Sequence, residues 1–147
     1  MKYKMQVLYF SKAGNTEKIA QAIGRDQKTK SDQIPPAYPV EAQKLLFIGL
    51  ELGKVDKKVL DFVADLKPAR TKNVAFFVTG DAAPLEELKD ILKKNGVNVV
   101  EDVHVCPVKK GLFKQGSVSD ADVKACVAWA SKAVSYTHLR AHETELH

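Results

Sequence analysis

Two uninterrupted apolar runs, residues 45–49 and 74–78, constrain the fold of this chain more than any other feature. A strand with one face in water alternates apolar and polar residues, whereas a continuous apolar run indicates a strand covered on both faces. Between the two runs, the apolar residues of 59–66 keep helical spacing. The pattern therefore predicts a parallel sheet with helices packed on both sides.

The rest of the chain continues this alternation of strand and helix. Further strands are predicted at 7–10, within 28–34 as a short edge strand, and at 97–105, where a break is possible. Further helices are predicted by apolar faces in 19–23, 85–92 and 123–134, the last one capped by Ser119 with Asp122. We therefore predict one α/β domain over residues 1–134, a three-layer doubly wound parallel sheet of about five strands.

Composition and charge narrow the class of protein. The chain has 147 residues, of which 45% are hydrophobic and 28% charged, and a net charge of +5. No apolar run approaches the roughly 20 residues that span a bilayer, and no basic run is interleaved with aromatic residues as nucleic-acid sites often are. The two cysteines share no metal-ligand or redox spacing. We therefore expect a cytoplasmic protein that binds no metal, membrane or nucleic acid.

The last segment, residues 135–147, differs from the body of the chain. Its sequence, beginning Ser135-Tyr136-Thr137-His138, resembles the translation of transposase-adapter DNA used in sequencing libraries. We therefore interpret it as a non-native tail and leave it out of the fold prediction. Because no helical face is evident in it, we expect this tail to pack against nothing.

The turn after the first predicted strand carries the clearest functional signal. It consists of Ser11, Lys12, Ala13, Gly14, Asn15 and Thr16, and it opens a helix directly. Free backbone N–H groups at a helix start favour an anion, and Gly14 permits unusual dihedral angles and a close approach. The Ser11 and Thr16 hydroxyls and the Asn15 amide can donate to phosphate oxygens. Because the loop lacks Gly-Lys-Ser/Thr, it is not the loop of a nucleoside triphosphatase.

This strand, loop and helix resemble the start of the flavodoxin family, which holds the phosphate of FMN with Ser/Thr-x-Thr/Ser-Gly-Asn-Thr. The resemblance extends to the order of elements and implies a strand order of 2-1-3-4-5, with FMN near the topological switch point, as doubly wound sheets generally bind their ligands. Ala13 departs from the family pattern because it replaces the usual hydroxyl residue in the middle of the loop.

In the same family, the loops after the third and fourth strands flank the flavin ring, usually with aromatic residues. The resemblance places Leu50, Glu51, Leu52 and Gly53 in one of these loops, and Thr79, Gly80 and Asp81 in the other. Neither loop contains Trp, Tyr or Phe. Leu50 or Leu52 would then have to cover one face of the ring, less favourably than an aromatic side chain.

The function that the resemblance implies is electron transfer by non-covalently bound FMN, with other redox proteins as partners, in a monomer or weak dimer. Two alternatives remain open. A degenerate flavodoxin fold without flavin would serve as a partner-binding or regulatory module, and a small FMN-dependent oxidoreductase would be an enzyme. A response-regulator receiver is disfavoured because Phe10-Ser11 and Gly49-Leu50 occupy the positions of its acidic cluster and its phosphorylatable Asp.

Overall fold

The structure is a computed structural model that describes residues 3–52, 54–80, 82, 84–107, 109–111 and 114–145. Within these residues the elements follow in the order β1 (Met5–Phe10), α1 (Asn15–Gln27), β2 (Ser31–Gln33), β3 (Gln43–Leu52), α2 (Lys57–Ala64), β4 (Thr71–Gly80), α3 (Leu85–Lys94), β5 (Asn98–Val99), β6 (His104–Cys106), β7 (Lys109–Gly111), β8 (Lys114–Ser117) and α4 (Asp120–Glu145). No helix in these ranges is long and apolar enough to cross a membrane.

The main sheet is parallel, in the order β2-β1-β3-β4, and β5 and β6 both pair with the outer edge of β4. This confirms the predicted order 2-1-3-4-5, with the fifth position divided between two short strands. Val99 pairs with Val74 and His104 pairs with Phe77, so five steps along the outer segment match three steps along β4. The two extra residues interrupt the pairing, as a bulge does.

The core has two halves, one on each face of the sheet. Side chains alternate along β3: Leu46, Ile48 and Leu50 pack towards α2 and α3, whereas Leu45 and Phe47 pack towards α1 and α4. This two-sided burial explains the uninterrupted apolar runs and confirms the three-layer α/β architecture. It also places the next residue of β3, Glu51, on the α1 side of the sheet.

Two connections differ from a regular strand–helix alternation. Residues 34–42 cross from β2 to β3 without a helix, and they contain Pro35, Pro36 and Pro39, which interrupt helical hydrogen bonding. The short antiparallel hairpin of β7 and β8 was not predicted, because its Lys- and Gly-rich sequence shows no apolar alternation. Ser119 accepts from the Asp122 backbone N–H at 3.1 Å, which confirms the predicted cap of α4.

The tail does pack, contrary to expectation. Helix α4 continues through Glu145, and the Thr137 side chain is fully buried. The Tyr3 hydroxyl donates to Thr137 Oγ1 at 2.8 Å, and the Tyr3 ring lies 4.9 Å from the ring of His138. The expectation failed because Thr137 lies two helical turns beyond Ala130 and extends the buried face of the helix. The non-native origin of residues 135–147 stays a prediction.

Candidate functional site

The loop of residues 11–16 (the 11–16 loop) lies at the carboxyl end of β1, beside the carboxyl end of β3. Phe10 pairs with Leu50 in the sheet, so Ser11 and Glu51 are neighbours across the two strand ends. From β1 the chain crosses to β2 on one side, whereas β3 and β4 extend the sheet on the other side. The loop therefore sits at the topological switch point, where doubly wound sheets bind ligands.

Gly14 gives the loop its shape. It has φ 90° and ψ −6° and forms the N-cap of α1, which has no side-chain capping bond. Its N–H donates to Ser11 Oγ at 3.0 Å, which draws the loop into a tight turn. A Cβ atom at this position would meet nothing within 4 Å, so the need for glycine is conformational.

The donors of this loop converge on one anionic group, the carboxylate of Glu51. Ser11 Oγ donates to it at 2.8 Å, the Lys12 N–H at 3.0 Å and the Ala13 N–H at 3.1 Å. Burial by itself would raise the pKa of the Glu51 carboxyl, but the hydrogen bonds from the loop hold that pKa below its ordinary value. The loop thus stabilises a negative charge at the N-terminal end of α1.

Thr16 and Asn15 play different parts. The Thr16 side chain is fully buried, and its hydroxyl has no hydrogen-bond partner in the described structure. This hydroxyl helps to lower the pKa of Glu51, so it faces the carboxylate without completing a hydrogen bond to it. Asn15 Oδ1 accepts from the Val118 N–H at 3.2 Å and anchors the segment before α4. Asn15 therefore positions the loop through its oxygen.

Most of the residues predicted to lie in the loops beside a flavin ring lie in strands instead, because β3 extends to Leu52 and β4 extends to Gly80. Leu50 is only 1% exposed and belongs to the core between the sheet and α2 and α3, so its side chain is not available to cover a flavin ring. Thr79 is buried, and Gly80 is exposed with φ 99°. The backbone of Leu52 ends β3, but its side chain, together with Gly53 and Asp81, lies outside the described residues.

The role of Glu51 was missed in the sequence, which placed this residue only in a ring-side loop. A signal was available: side chains alternate along a strand, so Glu51 lies on the opposite face from Leu50, and β3 was predicted next to β1. An acidic residue on that face, one step beyond the level at which β1 ends, lies within reach of the N-terminus of α1. The sequence alone does not give the register that brings it there.

The tryptophan and the two cysteines on the face of the sheet covered by α4 have structural roles. Trp129 is 6% exposed, its Nε1–H donates to the Asp102 carbonyl at 2.8 Å, and its ring packs edge-on against Phe47. Burial, with Asp122 nearby, raises the pKa of Cys106 to about 11, and burial also raises the pKa of Cys126. Both thiols therefore stay protonated at neutral pH, as expected of buried cysteines in a core.

Comparison of the whole chain with solved structures places its fold. No protein-family model and no curated protein matches the sequence. The alignment with a flavodoxin from the domain Archaea covers 92% of this chain and 99% of that flavodoxin, with TM-score 0.62 and 14% identity. The alignment with the oxidised flavodoxin 2 of Bacillus cereus covers 86% of this chain and 94% of that flavodoxin, with TM-score 0.62 and 20% identity.

A third alignment, with a short-chain flavodoxin associated with a non-canonical PDU bacterial microcompartment, covers 90% of this chain and 97% of that flavodoxin. Its TM-score is 0.67 and the sequence identity is 16%. These likenesses span nearly the whole chain in both directions, although few residues are identical. Together with the strand order and the three layers, they identify the architecture. The chain has the flavodoxin-like α/β fold.

Proposed function

We propose that this protein binds FMN through the 11–16 loop and transfers electrons to redox partner proteins. The observation that carries the proposal is the convergence of the Ser11 hydroxyl and the Lys12 and Ala13 N–H groups on a single anionic group at the start of α1. Such donors at a helix N-terminus suit a phosphate as well as a carboxylate. Solved structures that share this fold include flavodoxins.

The chain's own contribution would be binding and electrostatics. Ser11, Lys12, Ala13 and the buried hydroxyl of Thr16 would hold the phosphate, and Gly14 keeps their backbone groups aligned. FMN, when bound, supplies the redox chemistry itself, and the protein tunes it by orientation and hydrogen bonding. No general acid, base or nucleophile is required, which agrees with the structural roles of Cys106 and Trp129.

Binding of FMN compared with riboflavin tests the proposal. Purified protein should show flavin absorbance at about 450 nm or take up FMN when the apoprotein is titrated. Because the loop recognises phosphate, we expect FMN to bind at least about tenfold more tightly than riboflavin, which lacks it. Equal affinities would refute the assignment of the loop, and no binding of either flavin would refute the proposal.

One set of observations favours a second candidate, a flavin-free module that binds a partner protein. Neither ring-side loop contains an aromatic residue, and the Leu50 side chain is committed to the core. In such a module the bonds from the loop to Glu51 would simply close the strand ends. A colourless protein that binds no flavin, but is recovered with a specific partner, would favour this candidate.

A further inference from the structure

We propose that Glu51 is an internal competitor for the phosphate of the ligand, so that a phosphate group enters the 11–16 loop only when the Glu51 carboxylate leaves it. The inference rests on the proposed function for the identity of the ligand, FMN, but its physical basis is independent of the flavin ring. It concerns the loop donors and the residue that they hold.

The first argument is that the donors are shared. The Lys12 and Ala13 N–H groups and the Ser11 hydroxyl all donate to the Glu51 carboxylate, at 2.8–3.1 Å for the shortest contact of each. A backbone N–H has one hydrogen and makes one strong hydrogen bond, so these donors serve one anion at a time. In addition, a phosphate and a carboxylate held by the same loop would both be negatively charged and would repel each other. A phosphate and the carboxylate therefore exclude each other from the loop.

The second argument is that Glu51 can leave without disturbing the fold. The residue is the last but one of β3, and its backbone stays paired with Thr79 of β4 whatever its side chain does. The side chain is partly exposed, so rotation away from the loop returns the carboxylate to water. Its neighbour Leu50 remains locked in the core on the opposite face. The exchange thus requires only a side-chain rotation.

The third argument is that the carboxylate does not satisfy the loop completely. The hydroxyl of Thr16 is fully buried, faces Glu51 and has no hydrogen-bond partner in the described structure. A carboxylate has two oxygens, whereas a phosphate monoester has three terminal oxygens that accept hydrogen bonds strongly. This hydroxyl lies near the carboxylate but makes no hydrogen bond of ordinary length to it, so a phosphate with a third terminal oxygen can use the donor more fully. This gives an incoming phosphate an advantage over the internal anion.

The test compares Glu51→Gln with Glu41→Gln, a matched control that removes the same charge at an exposed position outside the loop. Each variant and the wild type are titrated with FMN, with riboflavin and with inorganic phosphate, the last followed by ³¹P NMR. A third variant, Glu51→Ala, is included in case the glutamine form folds poorly, and circular dichroism checks the fold of all variants.

We expect Glu51→Gln to bind FMN and inorganic phosphate about tenfold more tightly than the wild type, with riboflavin affinity unchanged and Glu41→Gln equal to the wild type. Unchanged or weaker FMN and phosphate binding in both Glu51 variants would overturn the competitor role while leaving the proposed function intact. Tighter phosphate binding without FMN binding in any form would support the competitor role and refute the proposed function. The absence of phosphate binding and FMN binding in every form would refute both.

Discussion

The carboxyl ends of β1 and β4 present two different surfaces to a ligand. At the end of β1, three donors of the 11–16 loop converge within hydrogen-bond distance of one anion. At the end of β4, Thr79 is buried, Gly80 has a positive φ, and the loop beyond contains no aromatic residue. Recognition of an anion uses backbone groups that the strand–glycine–helix turn supplies, whereas recognition of a ring requires particular side chains. A chain can therefore keep one and lack the other.

The largest expected effect concerns the residues that would flank the flavin ring. Without stacking aromatics, we expect FMN to bind with roughly micromolar rather than nanomolar affinity, a difference of about 4 kcal/mol, and to stay comparatively fluorescent. Leu52→Trp should tighten binding by about 1–3 kcal/mol and quench the emission. Lys72→Trp, at the amino end of β4, is the control and should change neither quantity. Fluorescence titration measures affinity and quenching together.

Nanomolar binding with strong quenching in the wild type would contradict this contrast between the two strand ends. It would mean that an aromatic residue from elsewhere in the chain stacks on the ring. Tyr38, which is 83% exposed in the crossover from β2 to β3, would then be the first residue to replace by alanine.

The next effect tests whether the loop depends on its backbone conformation. Gly14 has φ 90°, and a Cβ there would meet open space, so we expect Gly14→Val to act mainly through backbone strain. We expect a loss of about 1–2 kcal/mol in stability and a comparable loss of FMN affinity. Gly14→Asn is the control, since asparagine tolerates positive φ better, and it should retain most of both. Urea unfolding and FMN titration give the two values, and an unaffected valine variant would show that the loop geometry is dispensable.

Thr16 should separate binding from stability. Its buried hydroxyl has no partner in the described structure, so Thr16→Val removes an unpaired polar group and should leave stability unchanged or raise it by about 1 kcal/mol. FMN affinity should fall about tenfold, because a hydrogen bond to a charged phosphate is lost. In the control Thr29→Val, the lost hydroxyl donates to the Met5 carbonyl at 2.7 Å, so stability should fall and binding should not. A free energy of unfolding in urea that is lower for Thr16→Val than for the wild type would contradict the assignment of this hydroxyl as unpaired.

How much the sequence could predict follows from the same distinction. The apolar runs of β3 and β4 predicted the layers, because burial on both faces appears directly in composition. The cluster of N–H donors in the 11–16 loop was predictable, because Gly14 and a helix start suffice to expose N–H groups. The partner of that loop was not, since Glu51 reaches it only through the register that pairs Phe10 with Leu50. Nor was the tail contact, which depends on how far α4 continues as a helix.

The tail gives a smaller effect at the opposite end of the sheet. Thr137 is held by Tyr3, which precedes β1, so it lies far from the 11–16 loop. Deleting residues 136–147 removes this partly buried hydrogen bond and should cost about 1 kcal/mol of stability without changing FMN affinity. Deleting only residues 141–147 keeps both Thr137 and Arg140 and is the matched control, with a smaller expected loss of stability. Equal stability of the two shortened proteins would show that the Thr137 contact contributes nothing.

The smallest expected effect is the pH dependence that the Glu51 carboxylate, held by the 11–16 loop, gives to the stability of the protein. The pKa of Glu51 is lowered in the folded protein, so its contribution to stability is present above the unfolded value of about 4.3 and is lost as the pH falls through the folded value. Because the side chain is partly exposed, this contribution should be below about 1 kcal/mol. Glu51→Gln should therefore be slightly less stable than the wild type at pH 7, and the difference should shrink on acidification, as followed by urea unfolding at several pH values. Glu41→Gln should show no such convergence with the wild type. A Glu51 difference that stays constant down to about pH 2 would mean that the loop does not hold a charged carboxylate, and the contrast between the two strand ends would then lose its electrostatic basis.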